Sequence, residues 1–505
     1  MSHRLATVRG SRRNQGYVSM RPMTEVSHRP DAAVPRPWQL PPGARLVIGF
    51  EFCERAGFYS MVSLLALFLS GDRGNGGFGW SREAALTVLG VYSGLMYALP
   101  VAGGWIADRY LGHRRALTFG GTLSVAAYAL LTLTVLLAKL NPWLGPLGLW
   151  RAPQALPGAD ADSYMAVTAG FWISICALIA GNALMKSTLV VALGDTFTGQ
   201  DARRERAYAY YYSGINLGGL VAGIAAGSVA AAYGWTPAFG VSVIAMGIAL
   251  AAYLTLGGRY LRLRAPGRAV PGASGPVTAN GESRTGVRIF ILAVFAALLL
   301  IYSIGSFQLW GTMSLFLEHS VDRHAGSFQI PTQWFTSIEA GALILAAPAF
   351  AALWAYLARR DREPDIVIKY TLALLLGAGG LLLFAVAAWS DTAAAKPGWF
   401  LPAVGIAVQA TGEVAAWTVS YGLVYRLAPQ RVVAAVMGAF YAATLGLGGY
   451  LAGWLGTFAE DLGQGRYFLA LGMATAAAAA LALLLRGGLR SLAARNGVDL
   501  YSRTA

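Results

Sequence analysis

Glu51, Glu54 and Arg55 are the residues of this chain best placed to do chemistry; they sit in LVIGFEFCERAGFYSMVSLLALFL. At 3.6 residues per turn, positions i, i+3 and i+4 share one helical face, and Tyr59 lies one turn further along it. Two carboxylates, a guanidinium and a phenol on one stripe can pair, pass protons, or hold the charged ends of a solute. The run around them is apolar for roughly 25 residues, from Arg45 to Leu69, long enough to cross a bilayer. Each ionisable group held there costs about 2.5–3.5 kcal/mol on insertion scales. The group must therefore face a protein interior or a wet cavity. A salt bridge that only locks the helix is the plain alternative, and a triplet beside a tyrosine favours a pathway.

Further ionisable residues fall inside apolar runs. Lys186 lies about seven residues from the end of its stretch, near Leu193, a depth of about 10 Å at 1.5 Å per residue. Glu51 and Glu54 stand at similar depth, so one of them is its natural counterion; a snorkelling lysine is the plainer reading. Glu413 lies near the middle of a later stretch, with Trp417 one turn on, and Glu339 about eight residues into another. A carboxylate at such depth marks a functional site by default. In YAYYYSGINLGGL, Tyr208, Tyr212 and Asn216 repeat at spacing four, a stripe that packing alone could explain. GGWIADRYLGHRR places Asp108 at a helix end and Arg109, Arg114 and Arg115 in the short loop, where charge pairing across neighbouring helices can latch the cytoplasmic side. All five histidines fall outside the apolar centres, so a proton carrier there has to be a carboxylate. Cys53 and Cys176 read as small buried residues. Neither a metal-ligand spacing nor a nucleophile–base set occurs, so the expectation is no enzyme and no cofactor, with protons as the coupling ion.

The elements that hold these residues follow from composition. The chain is 505 residues long, 56% hydrophobic and only 12% charged, where a soluble domain carries about 25%. Twelve apolar stretches are long enough to span, near 45–69, 84–107, 114–138, 164–193, 207–232, 237–257, 287–317, 332–358, 366–389, 398–427, 432–457 and 467–486. Polar segment 258–286 divides them six and six. Of the 39 lysines and arginines, 30 fall on the side of the N-terminus and 7 opposite, with Arg55 and Lys186 inside helices. That asymmetry puts both termini in the cytoplasm and accounts for the +15 charge without nucleic acid. The expected organisation is a disordered cytoplasmic tail (1–44), a six-helix bundle (45–257), a cytoplasmic linker (258–286), a second six-helix bundle (287–487) and a cytoplasmic tail (488–505). No extra helix pair fits between the halves.

Taken together, the sequence resembles the proton-dependent oligopeptide transporter (POT) family of the major facilitator superfamily. The marks are E-x-x-E-R at 51–55 followed by Tyr59, GLMYALPVAGGWIADRYLG at 94–112, NALMKSTLVVALGDTF at 182–197, YYYSGINLGGL at 210–220 and GEVAAWTVSYGLVYRLAP at 412–429. The resemblance implies an all-α major facilitator fold and a proton-coupled symporter that imports di- and tripeptides across a bacterial inner membrane, working as a monomer. It implies proton coupling by Glu51, Glu54, Arg55 and Lys186, with Arg55 and Lys186 also holding the peptide carboxylate. Glu413 would face the peptide amino end. Tyr59, Tyr97, Tyr212 and Asn216 would line the pocket, and Asp108 and Arg109 would serve in gating. A proton-driven drug antiporter of the same fold and a non-transporting peptide sensor are the alternatives.

Four departures from the family stand out. Val62 occupies a position where the family usually has arginine, and Phe307 one where its partner acid is usual. Glu339 stands where asparagine is usual. The expectation is that Glu339 partly replaces the missing acid, in proton coupling or in binding the peptide. Trp417 and Thr418 replace a Ser-Pro, which implies a narrower pocket with Trp417 in its wall.

Overall fold

The computed structural model describes residues 40–72, 75–144, 161–197, 203–263, 265, 282–392, 395–428 and 433–496. Most of the expected tail 1–44, most of the linker 258–286, and residues 497–505 lie outside them. Among the described residues, twelve helices are long and apolar enough to cross a membrane: α1 (Pro42–Ser70), α2 (Arg82–Leu111), α3 (His113–Lys139), α4 (Val167–Asp195), α5 (Arg203–Tyr233), α6 (Trp235–Tyr260), α7 (Thr285–Ser320), α8 (Trp334–Ala358), α9 (Ile366–Trp389), α10 (Phe400–Leu427), α11 (Ala435–Gly456) and α12 (Gln464–Arg495). A two-residue hairpin, β1 (His324–Ala325) and β2 (Phe328–Gln329), joins α7 to α8.

Local chemistry sets the ends. Pro42 starts α1 at a position where a missing N–H costs nothing. Ser81 caps α2, accepting from the backbone N–H of Ala84 at 3.1 Å, and Asp365 caps α9, accepting from Ile368 at 3.0 Å. The last helix runs past 487 to Arg495. Its Ala, Leu and Arg content favours helix, and Arg486 anchors it to Asp365 at 2.8 Å.

Burial sorts the helices by role. α1 is 83% buried over its most apolar window, against 17% for α8. It packs on α5 and α6 and reaches α7, so it runs through the centre of the protein. Three other helices are interrupted. α2 ends in a π-helical turn at Ala107–Leu111, α11 contains one at Ala442–Gly446, and α7 tightens to a 3-10 turn at Phe307–Trp310 before Gly311. The two halves touch through backbone where α2 meets α11. A Cβ on Gly453 would lie 2.5 Å from the Gly90 Cα, so only glycine allows that approach.

Candidate functional site

The stripe on α1 is enclosed: the Glu51, Glu54 and Arg55 side chains are 0%, 5% and 4% exposed. Arg55 clasps its neighbour Glu54 with two bonds, Nε to Oε2 and Nη2 to Oε1, each 2.6 Å. Lys186 on α4 donates to Glu51 and lies 3.8 Å from Glu54. Of the two expected counterions, Glu51 is thus the direct one. Arg55 Nε is 3.8 Å from Glu51, and the four charges form one neutral set. Lys186 is the only one with substantial exposure, 25%, so water reaches the set from its side.

Two uncharged residues that the sequence reading passed over complete this set. The Tyr211 hydroxyl donates to Glu51 Oε2 at 2.6 Å. Asn182 accepts from Arg55 Nη2 at 3.4 Å and donates to the Met96 carbonyl of α2 at 2.8 Å, tying α1, α2 and α4 together. The expected stripe on α5 sits differently. Tyr208 donates to the Val190 carbonyl at 3.4 Å, and Asn216 returns its amide to the Tyr212 carbonyl at 3.1 Å. Tyr212 is half-buried and is an electrostatic neighbour of Tyr302 on α7.

Across from this set stand the acids of the second half. Glu413 accepts from Ser306 of α7 at 3.2 Å, and Glu339 of α8 is its electrostatic neighbour. Helices α8 and α10 meet along an apolar seam of Leu343, Ala346, Ala410 and Val414, which sets the two acids at the same junction. Tyr59 and Tyr97 have Arg55, Glu339 and Glu413 all among their electrostatic neighbours. The two tyrosines therefore lie within electrostatic reach of the charged groups of both halves.

Aromatic rings of α1, α2 and α7 pack together beside these tyrosines. Trp310 meets Tyr59 and Phe58 edge-on, each at 5.8 Å, and Tyr97 meets Phe307 at 5.6 Å. Val62 and Phe307, both apolar, are 0% and 9% exposed. Farther out, Arg82 bonds Glu460 at 2.8 Å.

Two expected positions take other surroundings. Trp417 is 5% exposed, stacked on Tyr441 of α11 at 5.6 Å and 14°, so any wall there is a stacked pair rather than one ring. Asp108 pairs with His113 in its own loop at 2.7 Å, and Arg109 lies 5.8 Å from the Tyr110 ring. In this conformation that motif is tied locally.

The POT family model matches residues 114–271 and 279–469 of this sequence. The chain belongs to the POT family. It is similar to the peptide transporter YePEPT of Yersinia enterocolitica, 26% identical over 468 residues that cover 80% of this chain and 85% of that protein. It is also similar to dipeptide and tripeptide permease A of Escherichia coli, 23% identical over 96% of this chain and all of that one. Among solved structures, a mutant of the peptide transporter POT in complex with alafosfalin superposes with a TM-score of 0.75 at 20% identity, over 90% of this chain and 96% of that one. A POT family transporter in complex with 5-aminolevulinic acid gives 0.74 at 18%, over 90% and 97%. The fold of this POT-family chain is thus the twelve-helix major facilitator fold, a multi-pass membrane architecture.

Proposed function

We propose that this POT-family protein imports di- and tripeptides together with protons by alternating access, in a bacterial inner membrane, with both termini cytoplasmic and one chain as the working unit. The observation that carries the reading is the division of charge. A four-charge set on α1 and α4 and the carboxylates on α8 and α10 share Tyr59 and Tyr97 as electrostatic neighbours. A zwitterionic peptide presents the matching ends, a carboxylate for Arg55 and Lys186 and an ammonium for Glu413. Binding both ends draws the two halves together. Protonation of Glu51 and Glu54 weakens their hold on Lys186 and Arg55, which frees these cations for the peptide carboxylate. Loss of the protons restores the pairs and ejects the substrate. Each proton moved inward gains about 2.3 kcal/mol per 100 mV. Dialanine uptake into proteoliposomes tests the proposal, with and without an imposed inward proton gradient. Concentrative uptake is expected. Counterflow that ignores the gradient overturns the coupling, binding without flux points to a sensor, and competition by a lipophilic cation points to an antiporter.

A further inference from the structure

The two halves of the site differ in charge balance. On α1 and α4, two carboxylates meet two cations at 2.6–3.8 Å. On α10, Glu413 accepts from the neutral Ser306, and Glu339 of α8 is its electrostatic neighbour across the seam of Leu343, Ala346, Ala410 and Val414. The groups around them are polar but uncharged: Tyr59 from α1, Tyr97 from α2, Tyr302 and Ser306 from α7. Arg55, the cation that shares their tyrosine neighbours, is held by Glu54. Beside them Gln409, one turn before Glu413 and 5% exposed, keeps its amide nitrogen without a partner. That nitrogen sits against Gly305, next to the serine that bonds Glu413. The junction therefore holds two carboxyl groups where a peptide's amino end is expected.

One ammonium balances one carboxylate. The second, at this depth, needs a further cation. Resting on the peptide-import reading, we infer that Glu339 and Glu413 form a two-cation subsite that selects peptides whose N-terminal residue carries a basic side chain. In such a peptide the α-ammonium and the side-chain ammonium take one carboxylate each. A peptide with a neutral N-terminal residue leaves the second carboxylate to a proton. The sign of the pH effect follows. Raising the pH removes that proton, so affinity for Ala-Ala falls faster with pH than affinity for Lys-Ala.

The test is transport into proteoliposomes of Lys-Ala, Ala-Lys and Ala-Ala, from pH 6 to 8. The intact protein is expected to prefer Lys-Ala over Ala-Ala by about tenfold at the upper end, the scale of one charge-assisted bond. Ala-Lys should gain much less, since its ammonium lies at the wrong end. In Glu339→Gln the Lys-Ala to Ala-Ala ratio should collapse toward one and the two pH profiles should become parallel; Glu339→Asp should keep the preference. Ratios within one variant cancel differences in folded protein. Competition of Lys-Ala against Ala-Ala on the unaltered protein reads the preference without any variant. Equal handling of Lys-Ala and Ala-Ala overturns the subsite while leaving peptide import standing. So does a preference that survives Glu339→Gln. Absence of flux for all three peptides overturns both readings.

Discussion

The N-terminal half of the site keeps its charges paired, and the C-terminal half does not. Around α1, Glu51 receives Lys186 and Tyr211 and Glu54 receives Arg55 twice. Around α10, Glu413 receives only a serine hydroxyl among the described contacts, and Glu339 stands beside it. The first arrangement is complete without a ligand and has to be opened. The second is incomplete and has to be filled. A carrier that must bind and release benefits from this contrast: one half resists occupation until protons loosen it, and the other invites a cation. Removing one member should therefore have opposite consequences for stability in the two halves.

The sharpest break of that contrast is Lys186→Ala, which leaves Glu51 buried and short of its cation. A loss of about 3–5 kcal/mol is expected, read as lowered thermal stability in detergent, together with loss of proton-driven dialanine uptake. Tyr211→Phe should cost about 1.5–3 kcal/mol, since it strips a hydrogen bond from a buried carboxylate. Its second readout is proton-driven dialanine uptake, which should fall with the loss of that bond. Glu413→Gln should have the opposite sign. It removes one of two neighbouring acids that share no cation among the described contacts and should raise stability, while peptide binding measured by fluorescence or calorimetry weakens at least tenfold. If it destabilises as Lys186→Ala does, the C-terminal acids are paired after all and the contrast fails.

The smallest effect lies outside the membrane. A hydrogen bond from the His324 ring, then one from its backbone N–H, holds the Asp322 carboxyl below its usual range. A lowered folded value means the contribution is present above the ordinary carboxylate pKa, about 3.9, and is lost as pH falls through the folded one. Protection of the His324 amide against exchange, relative to the free-peptide rate at the same pH, should therefore persist at neutral pH and be lost only in strong acid. Asp322→Asn should reduce that protection at neutral pH and leave both halves of the site untouched.

How much of this was readable in the sequence depends on whether a feature is set by one helix or by two. The twelve spans followed from apolar length, and the shared face of Glu51, Glu54 and Arg55 from spacing within α1 alone. The match of Lys186 to that face needed only depth, since both lie about 10 Å in by helix rise. Tyr211 was out of reach because Tyr210, Tyr211 and Tyr212 are consecutive, and spacing cannot tell which of three neighbours turns toward α1. The structure leaves Tyr210 45% exposed and Tyr211 7%. Asn182 was missed because an amide in an apolar run carries no periodic signal. The cover over Trp417 depends on Tyr441, just before the π turn of α11, where the angular register is no longer that of a regular helix.

The enclosure of α1 also bears on how the protein is made. Glu54 and Arg55 are neighbours and neutralise each other as soon as they are synthesised. Glu51 has no such companion, because Lys186 lies 135 residues further on. At about 5–20 residues per second, that partner emerges roughly 7–27 s later. Through that interval α1 carries an uncompensated acid at a cost of about 2.5–3.5 kcal/mol in lipid. It must be sheltered at the insertion machinery, or sit shallow, until α4 and α5 arrive. The first half is thereby bound to enter the membrane as a set, and slowing the ribosome between α1 and α4 should increase the fraction of chains handed to membrane proteases.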